Sequence, residues 1–300
     1  MRLGVDLGGT KIAAVVLDDR GEIVWQRRIP TPREDYPGTL AAIGGLVEQA
    51  ERDLAERCSV GLGIPGAVSP ATGRIKNANS TWLNGQPFHE DLERRLGRPV
   101  RLTNDANCLA MSESFDGAAA NAMVVFGIIL GTGVGGGVAV RGEILSGANA
   151  IAGEWGHNPL PWPDDDERPG RRCYCGLHGC IETFLSGPGL ASDYRDRGGA
   201  VISAEQVVDR AGSGEPLAIE TLDVWERRLA KSLATVVNLL DPDVVVAGGG
   251  LSNIGRIYEN VPVLWRKWIF SDAVVTRFVQ ARHGDSSGVR GAARLWGKQV

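Results

Sequence analysis

A chain of 300 residues, 43% apolar and 23% charged, can bury a substantial core, and its length predicts about two domains in an ordinary soluble globular protein. A formal net charge of -4 without a basic run excludes a nucleic-acid polyanion as main partner, since nothing supplies the counterion-release term. The basic stretch 168–172 adjoins the acidic stretch 164–167, where the signs cancel and a solvated loop is expected.

In chain order, strands are expected at 2–6, 11–17 and 22–28, with Asp19-Arg20-Gly21 as the hairpin turn between the last two. The first two flank Asp6-Leu7-Gly8-Gly9-Thr10-Lys11, which is either a plain hairpin turn or a phosphate loop. The second reading sets an acid, a hydroxyl and bare backbone N–H groups around one concavity, the layout that holds phosphate and its magnesium. A helix at 39–57 and a strand at 60–64 lead into an irregular region, 65–87, rich in Asn, Gly and Ser. Loops of that length inside a compact domain are usually functional. His89 begins a surface helix, and a strand at 100–103 delivers Asn104 and Asp105 to a helix at 106–115. Asn and Asp are favoured N-caps, so this pair either satisfies backbone N–H groups or faces a ligand.

The alanine- and glycine-rich 117–120 reads as a hinge between lobes, and a strand at 123–130 runs into Gly131-Thr132-Gly133-Val134-Gly135-Gly136-Gly137 and a further strand at 138–140. Two strand, glycine-turn, strand units suggest a duplicated fold with facing phosphate loops. The longest helical pattern is 216–240, with Pro242 just past its end. A buried-type strand at 244–247 closes in a third glycine turn, Gly248-Gly249-Gly250, before a helix at 254–268, and a final helix at 287–295 packs back on the first lobe. The expected domains are an N-terminal α/β lobe, 1–118, joined by 285–300, and a C-terminal α/β lobe, 119–284.

Two matches to G-x-G-x-x-G, at Gly61, Gly63, Gly66 and at Gly131, Gly133, Gly136, lack the helix that a dinucleotide fingerprint opens. No P-loop is present. No secretory signal opens the chain, which points to the cytoplasm. The uncharged stretch 117–140 is long enough for a membrane span, but it is dense in glycine and lacks leucine-rich character.

Three of five cysteines fall in Cys173-Tyr174-Cys175-Gly176-Leu177-His178-Gly179-Cys180. They are either free thiols or, with one imidazole, a closed tetrahedral zinc site. His157 is the expected fourth ligand, because His178 is cramped inside the thiolate loop. Four protein ligands leave no open position, so such a metal is structural and clamps the loop bearing Glu154. Together with Glu182, Asn104, Asp105 and the Asn-rich 77–84, these residues form a set of amides and carboxylates suited to a polyhydroxylated ligand. Cys58 and Cys108 read as core, His283 is given no role, and Trp265 and Trp268 read as interface or core.

The first glycine motif, the segment 130–157 and Cys-x-Cys-Gly-x-x-Gly-Cys-x-Glu from Cys173 to Glu182 resemble the ROK family of sugar kinases and sugar-responsive repressors. The segments 77–88, 153–162 and 283–292 resemble, more narrowly, bacterial manno(fructo)kinases. The resemblance implies an α/β, actin-like ATPase fold whose two ribonuclease-H-like lobes close on ATP and sugar at a central cleft. It implies Asp105 as catalytic base, and Asn104, Glu154, His157, Glu182, Asn79 and Gly66 around the sugar. Asp6, Gly8, Gly9, Thr10, Lys11, Gly131, Thr132, Gly133, Gly248, Gly249 and Gly250 would surround ATP, with magnesium held through water by Asp6 and zinc by His157, Cys173, Cys175 and Cys180. The expected reaction phosphorylates the 6-hydroxyl of fructose, and of mannose. An N-acetylglucosamine or glucose kinase, or a non-catalytic sugar sensor, is the alternative. The long proline-rich segment between His157 and Cys173 weakens transfer of glucose specificity. The repressor branch carries a DNA-binding module ahead of the first glycine turn, for which this chain has no room. A homodimer is the assembly the likeness suggests.

Overall fold

The computed structural model describes residues 1–297. In chain order come β1 (Arg2–Leu7), β2 (Lys11–Leu17), β3 (Ile23–Pro30), α1 (Tyr36–Leu54), β4 (Ser59–Ile64), β5 (Ala67–Val68), β6 (Ile75–Lys76), α2 (Phe88–Leu96), β7 (Val100–Asn104) and α3 (Asp105–Phe115). They are followed by β8 (Val124–Leu130), β9 (Val134–Val140), β10 (Glu143–Ile144), α4 (Ile181–Leu185), α5 (Gly187–Asp196), α6 (Ala204–Gly212) and α7 (Pro216–Leu240). The last elements are β11 (Val244–Gly248), α8 (Ile257–Leu264), β12 (Arg277–Gln280) and α9 (Ser287–Arg294). Two compact units divide the chain: Met1–Ala120, Gly137–Ala152 and the segment from Asp285 form the first, Asn121–Gly136 and Gly153–Gly284 the second. Residues 137–152, expected in the second lobe, group with the first unit.

The first unit is built on a sheet of order β3-β2-β1-β4-β7. Its first three strands are antiparallel neighbours, and β4 and β7 run parallel to β1. Central strands are apolar on both faces and the edge strand β3 is largely exposed, as burial on two faces requires. Leu3, Val5 and Leu7 of β1 pack with Ile43, Leu46 and Val47 of α1 in one core cluster. The alternate residue Gly4 faces α9, since strand side chains alternate between faces. There the contact is backbone on backbone: a Cβ would lie 2.1 Å from Val289 O at Gly4 and 2.0 Å from Ala292 O at Gly61. On its other side α9 meets α3, where a Cβ at Gly291 would lie 1.8 Å from Cys108 O. The expected final helix therefore does pack on this sheet, and its predicted extension over 298–300 lies outside the described residues.

A second sheet has order β10-β9-β8-β11-β12, with β11 and β12 parallel to β8 and β10 antiparallel to β9. Strand order therefore repeats between the two sheets: three hairpin-linked strands, then two parallel ones. The expectation of a duplicated fold is met in topology. In the second unit, α7 starts with Pro216 in its first turn and ends where Asp241 turns left-handed, φ 47°, which matches the expected 216–240.

Other expectations shift. Helix α1 begins at Tyr36 because Asp35 caps it, accepting the Gly38 N–H, and it stops at Leu54, where Ala55 is left-handed. The region 65–87 contains the β5–β6 hairpin and a 3₁₀ turn, Thr81–Leu83. The helix expected over 254–268 reduces to α8 flanked by 3₁₀ turns. Trp265 belongs to the core, and Trp268 stacks on Trp162 with centroids 6.2 Å apart.

The acidic stretch 164–167 is not simply a solvated loop. Glu167 is 5% exposed and accepts from Arg228 Nε at 2.6 Å, while Arg228 also pairs with buried Asp193. Arg171 joins through Asp193 at 2.6 Å, and Lys231 Nζ stands 3.8 Å from Glu167. Buried charges persist when paired in this way, and removing one partner is costly.

The close approach of α9 gives a stability prediction. Gly291→Ala should destabilise by about 1–3 kcal/mol or more through overpacking, read as a lowered urea midpoint, whereas Gly255→Ala, which meets nothing within 4 Å, should stay within about 0.5 kcal/mol. Equal midpoints for the two variants would contradict the packing described.

Candidate active site

The first glycine turn links β1 to β2 and is held from outside. Gly8 N–H donates to Lys11 O at 3.0 Å, Thr31 N–H donates to Thr10 O at 3.0 Å, and the Thr31 hydroxyl donates to Gly8 O at 2.7 Å. A Cβ at Gly8 would lie 2.9 Å from Lys11 O. Gly9, Thr10 and Lys11 are exposed, so the turn offers backbone and a hydroxyl to a ligand.

Asp6 lies just before this turn. Atoms built at Gly63 and Gly288 would fall 3.6 Å and 3.2 Å from its carboxylate oxygens, so β4 and the start of α9 wall it in. Burial pushes its pKa up to about 6, against the pull of Lys11 and Arg28. A shielded carboxylate beside exposed amides has the donor chemistry for a hard cation.

Asn104 and Asp105 open α3. Oxygens of both accept the Ala106 N–H at 2.8 Å, so the capping reading is realised. Asn104 does more, because its amide donates to Gly66 O at 3.2 Å. Gly66, φ +73°, could not carry a side chain: its Cβ would lie 2.3 Å from Lys76 O. Exposed Asn79 follows Ala78, whose N–H and C=O are both bonded by the Asn84 amide at 2.9 Å. Cys108, one turn into α3, is buried core as expected, and its thiol is raised well above its usual range by burial and by the charges of Asp6 and Asp105. Asp6, Gly66, Asn104 and Asp105 are thus grouped in the first unit.

In the second unit, Gly131 N–H donates to Gly133 O at 3.0 Å and Gly187 N–H to Gly131 O at 2.7 Å. Glu182 reaches the same turn, accepting Val134 N–H at 2.9 Å, where a Cβ on Gly133 would intrude at 2.7 Å. The segment carrying Glu154 and His157 lies directly on β9: a Cβ at Gly156 would be 2.1 Å from Val134 O, and Trp155 Nε1 donates to Gly135 O at 2.9 Å. In the third turn, Gly249, φ +86°, sits against Leu130 O, where its Cβ would lie at 2.5 Å. A cavity of about 410 Å³ joins the second and third turns, lined by Gly131, Thr132 and Gly250. It is completed by Gly187 and Pro188 of α5 and by Ser203 to Glu205 at the start of α6. Sequence reading missed these last two walls, although Pro188 and the Ser203–Gln206 capping box marked the helix starts.

The ligand atoms of His157, Cys173, Cys175 and Cys180 all lie within 4.8 Å of one another, with Cys173 Sγ 3.6 Å from His157 Nδ1 and Cys175 Sγ 3.6 Å from Cys180 Sγ. Tetrahedral zinc with Zn–S near 2.3 Å requires ligand separations of roughly 3.4–3.8 Å, which these two pairs meet, and the four residues have the donor chemistry of a closed zinc site. His178 stays outside it, pairing its backbone with Arg172. The other His157 nitrogen, Nε2, meets the Tyr174 hydroxyl at 3.0 Å, an outer contact that orients the ring and was not foreseen. Burial and the neighbouring thiols push Cys180 up to about 12.

Two sheets of one strand order, each ending in a glycine turn, define a duplicated α/β fold of the actin-like ATPase class. The chain belongs to the ROK family, whose model matches residues 2–299. It is 42% identical over 299 residues to an N-acetyl-D-glucosamine kinase of Yersinia pseudotuberculosis, covering 98% of each chain. Its structure is similar to that of a ROK hexokinase from Thermus thermophilus, with TM-score 0.86, 33% identity and coverage of 97% of this chain and 96% of that one. It is also similar to a ROK family glucokinase from Streptomyces griseus in complex with glucose and AMPPNP, with TM-score 0.80, 29% identity and 98% of both chains covered. The narrower likeness to manno(fructo)kinases gains no support from these relatives, which are named as an N-acetyl-D-glucosamine kinase, a hexokinase and a glucokinase. No helix among the described residues is long and apolar enough to cross a membrane.

Two outcomes follow from this geometry. Metal analysis of protein purified without chelator should find about one zinc per chain, lost in Cys180→Ser together with thermal stability; wild type free of zinc would contradict the assignment. Because folding disfavours ionised Asp6, stability without nucleotide or divalent cation should fall as pH rises from 3.8 to about 6. Asp6→Asn should therefore raise stability at pH 7, by up to about 3 kcal/mol, and change little below pH 4; a less stable variant at pH 7 would contradict it.

Proposed function

We propose that the protein is an ATP-dependent sugar kinase that transfers the terminal phosphoryl group to the 6-hydroxyl of a hexose, with Asp105 as general base. The observation that carries this is the grouping, in one unit, of a carboxylate at a helix start, Asp105, with a glycine turn and a second shielded carboxylate, Asp6, both acids acting on the buried Cys108 thiol.

ATP would lie along Asp6, Gly8, Gly9, Thr10 and Lys11, Gly131, Thr132 and Gly133, and Gly248, Gly249 and Gly250. The cavity between the second and third turns has the size and small side chains for its nucleoside. Asp6 would hold magnesium through water, and the bound ion supplies charge neutralisation to the polyphosphate. Phosphoryl transfer has a loose transition state, so positioning and electrostatics dominate the protein's contribution. Asp105 accepts the hydroxyl proton as the sugar oxygen bonds to phosphorus.

Gly66, Asn79, Asn104, Glu154, His157 and Glu182 are the proposed sugar ligands. The zinc set would anchor the loop that presents His157 and Glu182. His157 could offer only Nε2, because Nδ1 faces the thiols, and Tyr174 would have to give way. The intact Asp105 and glycine turns favour an enzyme over a silent sensor.

N-acetylglucosamine is the acceptor that the curated relatives support, at 42% identity over nearly the whole chain. Fructose and mannose form the second reading, supported by segments 77–88, 153–162 and 283–292 of this chain.

A panel of N-acetylglucosamine, fructose, mannose and glucose, read by ADP release, tests the proposal. Fastest turnover of the first supports the relatives' acceptor, fastest turnover of fructose or mannose the second reading, and no hexose-dependent release contradicts both. Asp105→Ala should retain ATP binding and lose on the order of a thousandfold in kcat, and a loss below about tenfold would speak against the base assignment.

A further inference from the structure

One buried polar group in the first unit is unaccounted for by the roles given above. Ser80 is 2% exposed, and its hydroxyl has no hydrogen-bond partner. It stands at the capping position of the 3₁₀ turn Thr81–Leu83, yet its side chain makes no capping bond. Instead Leu83 N–H is taken by the Ser80 backbone oxygen at 3.0 Å. Burying an unpaired hydroxyl costs free energy, and such groups in native folds call for an explanation.

The surroundings supply one. A Cβ at Gly9 would lie 3.7 Å from Ser80 Oγ, so the hydroxyl is aimed at the first glycine turn and no side chain stands between them. The Ser80 backbone is fixed on one side by the Asn84 clamp on Ala78 and on the other by the Leu83 bond. Trp82 is tied to Thr39 at 3.3 Å. The Ser80 backbone is therefore held, and it faces a turn that is anchored through Gly8 and Thr10 and exposed at Gly9 and Thr10.

We propose that Ser80 is a positioning residue for the first glycine turn: when nucleotide draws Gly8, Gly9 and Thr10 onto its phosphates, the Ser80 hydroxyl takes up its missing hydrogen bond with the turn's backbone. The bond would tie the phosphate side of the unit to the loop bearing Asn79, one residue away. This rests on the kinase reading and adds to it a contact made only in the loaded state. A group that pairs only then stabilises the nucleotide-bound state over the free one, so it tightens nucleotide binding without by itself raising turnover.

The test is Ser80→Ala in the full chain, with two readouts. The melting temperature without ligand should be unchanged or higher, because an unpaired buried hydroxyl has been removed. The apparent Kd for ATP with magnesium, from the nucleotide-induced thermal shift, should rise on the order of tenfold, the worth of one hydrogen bond in a shielded site. Ser80→Cys, which keeps the volume but donates weakly, should fall between the two. A Ser80→Ala chain that melts lower without ligand, or that binds ATP as the wild type does, overturns the inference and leaves Ser80 a structural or water-bonded hydroxyl. The thermal shift uses ATP alone, so it judges Ser80 separately from the hexose panel: wild type that binds ATP but turns over no hexose defeats the kinase reading and not this contact.

Discussion

A glycine turn can present bare amides to a ligand only if something other than its own side chains holds its shape. In this protein each of the three turns is held from outside, the second and third at distances that a Cβ on Gly133 or Gly249 would forbid. Thr31 grips Gly8 and Thr10. Glu182 and Gly187 bond the second turn, and Gly249 leans on the backbone of Leu130. The same device recurs where α9 meets β1 and β4, and where the segment 153–157 meets β9. Missing side chains thus let backbone approach backbone at each of these contacts.

That economy has an electrostatic cost. Packing the start of α9 and the wall of β4 around Asp6 removes water from its carboxylate and makes charging it costly. The ligand-free fold bears the penalty and a bound cation would relieve it, an ordinary pattern for groups held ready for use. The second unit solves its charge problem differently. Glu167, Asp193, Arg171, Arg228 and Lys231 satisfy one another, which fixes the segment ahead of the cysteines to α5 and α7.

Much of this was legible in the sequence because it rests on local patterns. Gly-Gly between apolar runs marked the first turn, and the helical pattern from Pro216, with Pro242 just past its end, marked α7. Three cysteines within eight residues announced a metal-type cluster, and the structure adds His157 as the sequence reading expected. What escaped depends on distant partners. The burial of Glu167 is decided by Arg228, 61 residues away. Helices α4 to α6 are short, and their positions are set by what they cover rather than by a long periodic stripe. Tyr174 reads as an exposed loop residue until its hydroxyl is seen on His157. The acceptor sugar is the least legible feature, because hydroxyl-binding amides and carboxylates are chemically alike whichever hexose they hold.

In the proposed reaction phosphorus moves from nucleotide to one defined alcohol. Phosphorus NMR of the wild-type protein with ATP, magnesium and its best hexose tests it directly. The expected products are ADP and a new phosphomonoester resonance split by the two protons on carbon 6. A phosphoryl group coupled to a ring proton, or inorganic phosphate alone, would contradict it.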